Sequence, residues 1–396
     1  MKIVITGMGV VSPVGIGVEK FWKAICDGVY GIRPITRFDT EGFKFLDAGE
    51  ITDFTLSPEL ADLADTDLAT QFAATACREA LDQAALAHSA ERSETGLVMG
   101  TNFGGMYSGE QVIEELNGGP PATQGAFTET WYQSAVDHLA RHWELAGARQ
   151  TLSLSCSSGT AAIGVAADLI RAGRATRMIA GGYDALSRYA WSGLGALRTM
   201  TDDVIRPFDK NRKGTIFSEG AAVLVLESEQ EAIRRGAAIL GTVAGHATNN
   251  NAYHMTAPAK QGAGSARIMT AALQDAGMAA SDIQHINAHG TGTRPNDVTE
   301  TQAIKQTFGD NAMNIPVTSI KSTVGHMMGA AGSAEAVASL LSIRDNFVPP
   351  TIHFETPDPE CDLDCVFNEK RKLEIHAVLS NSAGIGGCNA AIVLTE

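Results

Sequence analysis

Short apolar runs alternate with amphipathic stretches along the whole chain. The apolar runs end at glycine or polar residues, which is typical of buried strands, and the stretches between them have helical spacing. The pattern predicts strands over residues 2–11, 96–101, 151–155, 178–185, 221–228, 240–247, 285–290, 317–322, 376–384 and 390–396. It predicts helices over residues 19–27, 70–85, 159–172, 265–276 and 331–344. This alternation indicates an α/β fold whose sheets are covered by helices on both faces.

The same manner of alternation occurs in both halves of the chain. Each half ends in a similar apolar strand, AAVLVLE at 221–227 and AAIVLTE at 390–396. We interpret this as an internal duplication with a seam between residues 228 and 240, which predicts units at 1–238 and 239–396. Segments 39–58 and 104–130 are rich in glycine, proline and polar residues, and are predicted to be irregular loops inserted over a site.

Composition and charge exclude several classes of protein. The chain has 396 residues, of which 44% are hydrophobic and 19% charged, so global disorder is excluded. The net charge of −15 argues against a general nucleic-acid binder. No apolar run reaches the ~18 residues of a membrane span, and the chain opens on a strand-like segment rather than a leader. We therefore expect a cytoplasmic protein that binds neither nucleic acid nor membrane.

Cys156 lies where the predicted strand TLSLS gives way to a helix through two serines and a glycine. The free N–H groups and the dipole of a helix N-terminus favour a thiolate, so we expect this position to lower the pKa of the thiol. A buried structural cysteine is the alternative, and this segment alone does not decide between them. Cys361 and Cys365 lie close in sequence, but no second Cys or His pair is nearby, so no metal site is expected.

His289 leaves an apolar strand and enters a turn of glycines and threonines in NAHGTGTRPND. The hydroxyl groups of such a turn can fix the orientation of an imidazole. A turn histidine bonded to backbone is the more frequent explanation of this segment taken alone.

A third segment, TSIKSTVGHMMGAAG, contains Lys321 and His326. Lys321 is predicted to close a strand and His326 to open a Gly/Ala-rich helix. The helix dipole disfavours the imidazolium, so we expect His326 to be neutral and able to donate one hydrogen bond. Glu335 lies one to two turns into that helix, where it could pair with Lys321. An ordinary packing turn with a surface lysine is the alternative.

The last segment, NSAGIGGCN at 381–389, is rich in glycine. Its backbone N–H groups could line an anion site in a mobile loop. A dinucleotide fingerprint is excluded, because no phosphate-binding helix with a later acidic residue follows.

Together these segments resemble the β-ketoacyl-acyl-carrier-protein synthases, the condensing enzymes of the thiolase superfamily. The resemblance covers essentially the whole chain and rests on ITGMGVVSPVG, RPFDKNRKG, SEGAAVLVLE, HGTGT and the KSTVGHMMGAAG segment. The Cys-His-His set is similar to that of the elongating branch, not to the Cys-His-Asn set of the initiating branch. The resemblance implies two duplicated βαβαβαββ halves in a five-layered αβαβα arrangement.

The resemblance also implies roles for the four chemistry-bearing residues. Cys156 would receive the acyl group as a thioester, and the backbone N–H groups of Cys156 and Ile385 would hold the oxyanion. His289 and His326 would both donate hydrogen bonds to the malonyl thioester carbonyl and stabilise the enolate left by decarboxylation. Lys321 would not be a base; it would order His326 and the local field.

Supporting and binding residues follow from the same resemblance. Glu335 would pair with Lys321, and Thr291 and Thr293 would bond the pantetheine arm. Ala383 and Ile385 stand where the family usually has two phenylalanines in its C-terminal gate. This loss of aromatic bulk puts the substrate choice and the gating order in doubt.

Three functions remain open from the sequence. The first is an elongating ketosynthase, KAS II-like, in a specialised type II polyketide or polyene pathway, and the second is a housekeeping fatty-acid synthase. The third is a catalytically silent partner of the chain-length-factor type, which usually loses the nucleophile that Cys156 provides. The expected partners are an acyl carrier protein and a second subunit, in a homodimer or in a heterodimer with a chain-length-factor-like chain. No cofactor is expected, since the substrates would be attached to the phosphopantetheine of the carrier protein.

Overall fold

The computed structural model describes residues 1–396. One sheet runs through the molecule, and a short strand, Gly15–Ile16, is attached to its first strand. Its ten main strands are β1 (Ile3–Ser12), β2 (Gly96–Gly100), β3 (Arg149–Leu152), β4 (Arg177–Asp184), β5 (Gly220–Ser228), β6 (Gly241–Asn250), β7 (His285–Asn287), β8 (Val317–Thr318), β9 (Ala377–Ala383) and β10 (Cys388–Thr395). Two small ribbons pair Arg33–Pro34 with Asp47–Ala48 and Phe347–Val348 with Arg371–Lys372.

Twelve α-helices connect and cover these strands. They are α1 (Val18–Cys26), α2 (Leu68–Gln83), α3 (Met106–Leu116), α4 (Ala126–Glu129), α5 (Ser134–His142), α6 (Ser158–Arg171), α7 (Arg188–Ala196), α8 (Glu229–Arg234), α9 (Ala263–Ala276), α10 (Arg294–Phe308), α11 (Lys321–Val324) and α12 (Ala331–Asp345). None of them is both long enough and apolar enough to cross a membrane.

The strand order shows the duplication directly. The first half is ordered β3-β2-β4-β5-β1 and the second β8-β7-β9-β10-β6. Each strand of the first half therefore corresponds to the strand of the second half whose number is five higher. In both halves the first three strands in this order pair in parallel, and each of the last two pairs antiparallel with the strand before it. The halves meet where β1 and β6 pair antiparallel. The predicted thiolase-like fold class is confirmed, while the boundary between residues 238 and 239 stays a prediction.

Two helices fill the space between the half-sheets. α6 packs on β4 and β2, and α12 packs on β9, β10 and β5, so these helices form the central layer. α2 covers the outer face of the first half-sheet and α9 that of the second, which completes five layers. Thirteen of the fifteen residues of α12 are buried, as a helix enclosed by two sheets requires.

Glycines let α6 and α12 approach closely at their N-terminal ends. A Cβ atom on Gly159 would lie 2.8 Å from the carbonyl oxygen of Gly329, and one on Gly332 would lie 2.0 Å from the Thr160 hydroxyl. The close contact brings the segments that precede the two helices together. Cys156 belongs to one of these segments and His326 to the other.

Two local predictions were wrong. The strand predicted over 317–322 ends at Thr318, and Lys321 begins the short helix α11 instead of closing the strand. The hydroxyls of Ser322 and Thr323 bond to carbonyl oxygens three residues earlier, which favours a helical turn over an extended chain. Segment 104–130, predicted irregular, contains α3, whose Glu and Gln residues favour helix between flanking glycines.

Candidate active site

A cavity of about 300 Å³ opens between the two halves and receives residues from both. Cys156 and Phe217 line it from the first half, and His289, His326 and Ile385 from the second. Cys156 and the histidines all follow the carboxyl ends of parallel strands. Segments 39–58 and 104–130 do not line this cavity, contrary to their predicted position over a site.

Cys156 occupies a tight turn between β3 and α6. Ser155 has a φ of 51°, a left-handed conformation that is strained for a residue with a side chain. The Ser155 hydroxyl donates to the carbonyl oxygen of Ile385 at 2.8 Å, which ties the turn to the glycine loop. A Cβ atom on Gly384 would lie only 2.9 Å from the carbonyl oxygen of Leu154, closer than real Cβ atoms come, so glycine permits this approach. Cys156 is buried, with 5% of the residue exposed.

The expectation of a lowered thiol pKa at Cys156 was wrong. Burial raises the pKa of this thiol to about 11 and outweighs the influences that lower it. Those influences are the charge of Lys321, a hydrogen bond from the side chain of Asn102 and one from the backbone of Ile385. The thiol is therefore mainly protonated at neutral pH, even with these influences present.

His289 is fixed from two sides. Glu300 accepts its backbone N–H at 2.6 Å and that of the next residue at 2.8 Å. Lys321 Nζ lies 3.4 Å from the Nδ1 atom of the ring. Because an ammonium can only donate, Nδ1 is the acceptor and the ring proton is on Nε2.

His326 reaches the same tautomer by a different route. The backbone N–H of Met328 donates to its Nδ1 at 3.2 Å, which again leaves the proton on Nε2. The ring stacks on Phe217 with centroids 5.2 Å apart and meets the His289 ring edge-on at 5.4 Å. Two imidazoles therefore lie side by side, each with its Nε2–H as the remaining donor.

Both histidines are neutral, as the sequence predicts for His326. Burial lowers the pKa of His289 and of His326 well below the usual value, and the positive charge of Lys321 lowers both further. His326 lies two residues before the 3-10 turn Met328–Ala330 that leads into α12, instead of opening the helix itself, and the first N–H of that turn is the donor to its Nδ1. Desolvation and a neighbouring cation keep both rings uncharged.

Lys321 and Glu335 form a buried ion pair, so the surface-lysine alternative is wrong. Both side chains are almost fully enclosed, and the Nζ atom of Lys321 bonds to Oε1 of Glu335. Burial raises the pKa of Glu335 to about 7, against the lowering effect of Lys321. The Ser382 hydroxyl donates to the second oxygen of Glu335 at 3.4 Å.

The remaining predicted residues surround the cavity. Thr291, Thr293, Ala383 and Ile385 line it, and the two threonine hydroxyls bond to each other at 2.9 Å. The glycine loop containing Ile385 is held from outside the cavity: the N–H of Gly386 donates to the carbonyl of Met255 at 2.7 Å. No cluster of three or more His, Cys, Asp or Glu side chains with metal-binding geometry occurs in the chain.

Sequence reasoning missed Asn102 and Asp184. Asp184 is buried at the end of β4 and accepts the backbone N–H groups of Asn102 and Gly329, both at distances below 3 Å. It thereby joins the turn after β2 to the turn after His326. Neither residue belongs to a motif; the signal that could have found Asn102 is its place after β2, which the duplication matches to His289 after β7.

Two family models match the chain and together span most of it. The Beta-ketoacyl synthase N-terminal domain matches residues 1–232, and the Beta-ketoacyl synthase C-terminal domain matches residues 240–355.

Similar proteins extend over the full length. The 3-oxoacyl-(acyl-carrier-protein) synthase 2 of Staphylococcus aureus (strain MRSA252) is 40% identical over 407 residues, covering 100% of this chain and 98% of the relative. The structure of the ishigamide ketosynthase/chain length factor superposes with a TM-score of 0.92 at 35% identity, over 100% of this chain and 98% of that one. A type II PKS ketosynthase, bound to the hexaketide and in complex with its acyl-carrier protein, gives a TM-score of 0.90 at 32% identity, with 100% and 99% covered.

Proposed function

Because the chain belongs to the β-ketoacyl synthase family, we propose that it elongates acyl chains by decarboxylative Claisen condensation of malonyl-ACP with an acyl group held on Cys156. The observation that carries this proposal is a thiol and two neutral Nε2–H imidazoles on one cavity. A hydrolase with a Cys-His pair would need only one imidazole to act as base.

In the first half-reaction, the Cys156 sulfur attacks the carbonyl carbon of the acyl-ACP thioester. A new S–C bond forms and the carbonyl electrons move to oxygen. As the carbonyl reforms, the carrier's C–S bond breaks, and its sulfur takes up the proton that the Cys156 thiol gives up. The backbone N–H groups of Cys156 and Ile385 are assigned to the transient oxyanion. The Ser155 hydroxyl bonds to the carbonyl oxygen of Ile385 at 2.8 Å, which holds this residue next to the Cys156 turn and supports the assignment.

In the second half-reaction, malonyl-ACP loses carbon dioxide, and the electron pair of the broken C–C bond passes to the thioester as an enolate. We assign the stabilisation of the enolate oxygen to the Nε2–H groups of His289 and His326. Neutral imidazoles suit this role, since each donates a hydrogen bond without releasing its proton. The carbanion then attacks the acyl thioester on Cys156, a C–C bond forms, and the cysteine sulfur leaves.

Lys321 and Glu335 support this chemistry without touching the substrate. Lys321 holds His289 in the Nε2–H tautomer, and Glu335 balances its charge in the interior. The expected ordering of His326 by Lys321 would act through charge, because the direct bond goes to His289. Thr291 and Thr293 are assigned to the pantetheine arm, and the chain's own residues suffice for the reaction without a further cofactor.

The carrier and the second subunit follow from the relatives. An acyl carrier protein delivers both substrates, and the protein works as a homodimer or beside a chain-length-factor-like subunit. A specialised type II pathway is favoured by the gate, where Ala383 and Ile385 leave space for an acyl chain that two phenylalanines would restrict. Housekeeping fatty-acid elongation is the second candidate, favoured by the identity to 3-oxoacyl synthase 2.

The proposal is tested by acylation with a carrier protein that bears an isotope-labelled acyl group. We expect the label on Cys156 by peptide mass spectrometry, followed by its release as β-ketoacyl-ACP when malonyl-ACP is added. Cys388→Ala is the matched control, since this thiol is half-buried beside the glycine loop. A label on Cys26, Cys77 or Cys388 with Cys156 unmodified would contradict the assignment.

A further inference from the structure

The carboxylate of Asp184 binds two turns that are far apart in sequence. Asp184 is the last residue of β4 and is fully buried. Its Oδ1 atom accepts hydrogen bonds from the Thr101 hydroxyl at 2.7 Å and from the backbone N–H of Phe103 at 2.9 Å. The N–H of Asn102 lies 3.1 Å from Oδ1 and 2.9 Å from Oδ2. Oδ2 also accepts the N–H of Gly329 at 2.7 Å, so only this oxygen binds the second turn.

The bond to Gly329 acts on the residue that sets the tautomer of His326. Met328 donates its N–H to the Nδ1 atom of His326 at 3.2 Å, and the N–H of Gly329 belongs to the next peptide. Met328 has a φ of 51°, a left-handed conformation that is unfavourable for a residue with a side chain and needs its surroundings to hold it. By binding the following peptide, Asp184 holds Met328 in the conformation that directs its N–H at the ring.

Close packing holds Gly329 from the other side. A Cβ atom on Gly182 of β4 would lie 2.2 Å from the carbonyl oxygen of Gly329, and one on Gly159 of α6 would lie 2.8 Å from it. A Cβ atom on Gly329 itself would lie 2.7 Å from Oδ2 of Asp184. Glycines at these three positions therefore let the turn come close enough for the carboxylate to bind its N–H.

The other contacts of His326 fix the position of the ring but not its proton. The backbone N–H of His326 donates to the carbonyl of Ile216 at 2.8 Å, its carbonyl accepts the N–H of Ser218 at 2.9 Å, and the ring stacks on Phe217. These contacts leave both ring nitrogens unbonded. Without the N–H of Met328 on Nδ1, the proton would be free to occupy Nδ1, and Nε2 would present a lone pair to the enolate oxygen instead of a donor.

We propose that Asp184 is a positioning residue for His326: by binding the N–H of Gly329, it keeps the N–H of Met328 on Nδ1 and the ring proton on Nε2. The inference rests on the proposed function in taking His326 as a donor to the enolate. Asp184 belongs to the first half and His326 to the second, so a strand of the half that contains Cys156 supports the decarboxylation step.

The test begins with Asp184→Asn, which keeps the size of the side chain and replaces one acceptor by a donor. The amide nitrogen should take the place of Oδ2, because the opposite orientation would set it against the donors at Thr101 and Phe103. The bond to Gly329 is then lost while the turn after β2 stays bound. We expect carbon dioxide release from malonyl-ACP at pH 8 to fall about tenfold, less than the roughly hundredfold cost of losing a whole donor, and acylation of Cys156 to stay within about twofold.

The matched control is Asp67→Asn. Asp67 is also a buried carboxylate that accepts a backbone N–H on each oxygen, from Ala69 at 2.8 Å and from Ser108 at 2.7 Å, but it does not line the cavity. Both half-reactions of this variant should stay within about twofold of wild type.

A spectroscopic readout separates positioning of the ring from a general loss of structure. The ring ¹⁵N chemical shifts of histidine-labelled protein distinguish the two neutral tautomers, and His326→Gln identifies the signals of this ring. We expect the Nε2–H form in wild type and in Asp67→Asn, and a larger share of the Nδ1–H form in Asp184→Asn.

Three outcomes would overturn the proposal: an Nδ1–H ring in wild type, ring shifts that Asp184→Asn leaves unchanged, or equal losses in the two half-reactions of that variant. If Asp184→Asn does not fold, Asp184→Ser decides by the same measurements, because its shorter side chain cannot bind both turns. The proposed function is tested separately by His326→Ala. Unchanged decarboxylation in that variant would refute the role of His326 itself, whereas a loss there without a loss in Asp184→Asn would refute only the inference about Asp184.

Discussion

The connection from β3 to α6 and the connection from β8 to α12 occupy corresponding places in the two halves, but they differ in length and in content. The first consists of residues 153–157, and Cys156 is its only reactive side chain. The second spans residues 319–330 and includes a helical turn, Lys321 and His326. The short connection has a strained backbone position at Ser155 directly before Cys156, whereas the long one has room for a buried ion pair beside an imidazole.

This difference fits the two chemical steps proposed for the two halves of the duplicated fold. A thiol needs close approach to a carbonyl carbon and backbone donors for one oxygen, which a tight turn before a helix provides. Enolate stabilisation needs neutral donors in a fixed tautomer, which requires additional groups to orient each ring. The longer connection in the second half supplies those groups.

The largest effect is expected from Cys156→Ala, which removes the reactive group of the short connection. Acyl transfer and condensation should fall on the order of 10³-fold or more, because no other thiol lies at the site. Carbon dioxide release from malonyl-ACP should persist, because the long connection is intact. Condensation is measured with purified carrier proteins. If Cys156→Ala still condenses, the two half-reactions are not divided between the two halves.

A smaller effect, on stability, is expected from Lys321→Met. Removing the ammonium leaves Glu335 buried without its partner, so the free energy of unfolding should fall by about 3 kcal/mol or more at pH 8. The double variant Lys321→Met with Glu335→Leu should recover much of this loss. Chemical denaturation of the single and double variants measures the loss and the recovery. Equal stability of these two variants would show that an unpaired Glu335 is not the cause of the loss.

The pH dependence of that loss has a definite sign. Burial raises the pKa of Glu335 to about 7 from its ordinary 4.5, so the folded state holds this proton more tightly than the unfolded chain. Protonation of Glu335 therefore adds to the free energy of unfolding at low pH, and this stabilisation is lost as pH rises from about 4.5 through the folded pKa. The destabilisation by Lys321→Met should therefore be smaller at pH 5 than at pH 8, and the opposite order in denaturation curves would contradict the buried-pair account.

A several-fold effect on substrate preference is expected at the gate. Wild type should be acylated faster by a conjugated acyl-ACP than by a saturated one of equal length, and Ala383→Phe with Ile385→Phe should reduce that preference. One ring's worth of contact is worth about a kcal/mol at ~25 cal/mol per Å², enough to change the ratio about fivefold. Competitive acylation measures it. If wild type prefers the saturated chain and the double variant leaves that preference unchanged, the gate does not determine substrate preference.

The smallest effect is expected from pH, which should hardly change the rate of malonyl decarboxylation. Burial and Lys321 lower the pKa of His289 and His326 well below the usual 6.5, so both rings keep their neutral form as pH falls through that value. Decarboxylation of malonyl-ACP should therefore stay nearly flat from pH 8 to about pH 5.5. A decline with a midpoint near 6.5 would show that the rings are solvated and titrate normally.

The sequence predicted the strands and the reactive residues where the signal is local. Cys156 and His289 each follow a short apolar run and precede glycine-containing turns, and the structure brings both to one cavity. The expected pair of Lys321 with Glu335 is present, but the helical turn at Lys321 was missed, because hydroxyl bonds to nearby carbonyls turn the chain after Thr318 although the residue pattern favours a strand. The thiol pKa was also missed, since the cost of burying Cys156 depends on packing between two sheets that are far apart in sequence.

The most direct test of the division between the halves is to measure both half-reactions on His289→Ala and His326→Ala. The account predicts that malonyl decarboxylation falls about a hundredfold in each variant, as the loss of one enolate donor would cause, while acylation of Cys156 changes little. Equal losses in both half-reactions would contradict the account, because they would assign the histidines to the thiol rather than to the enolate.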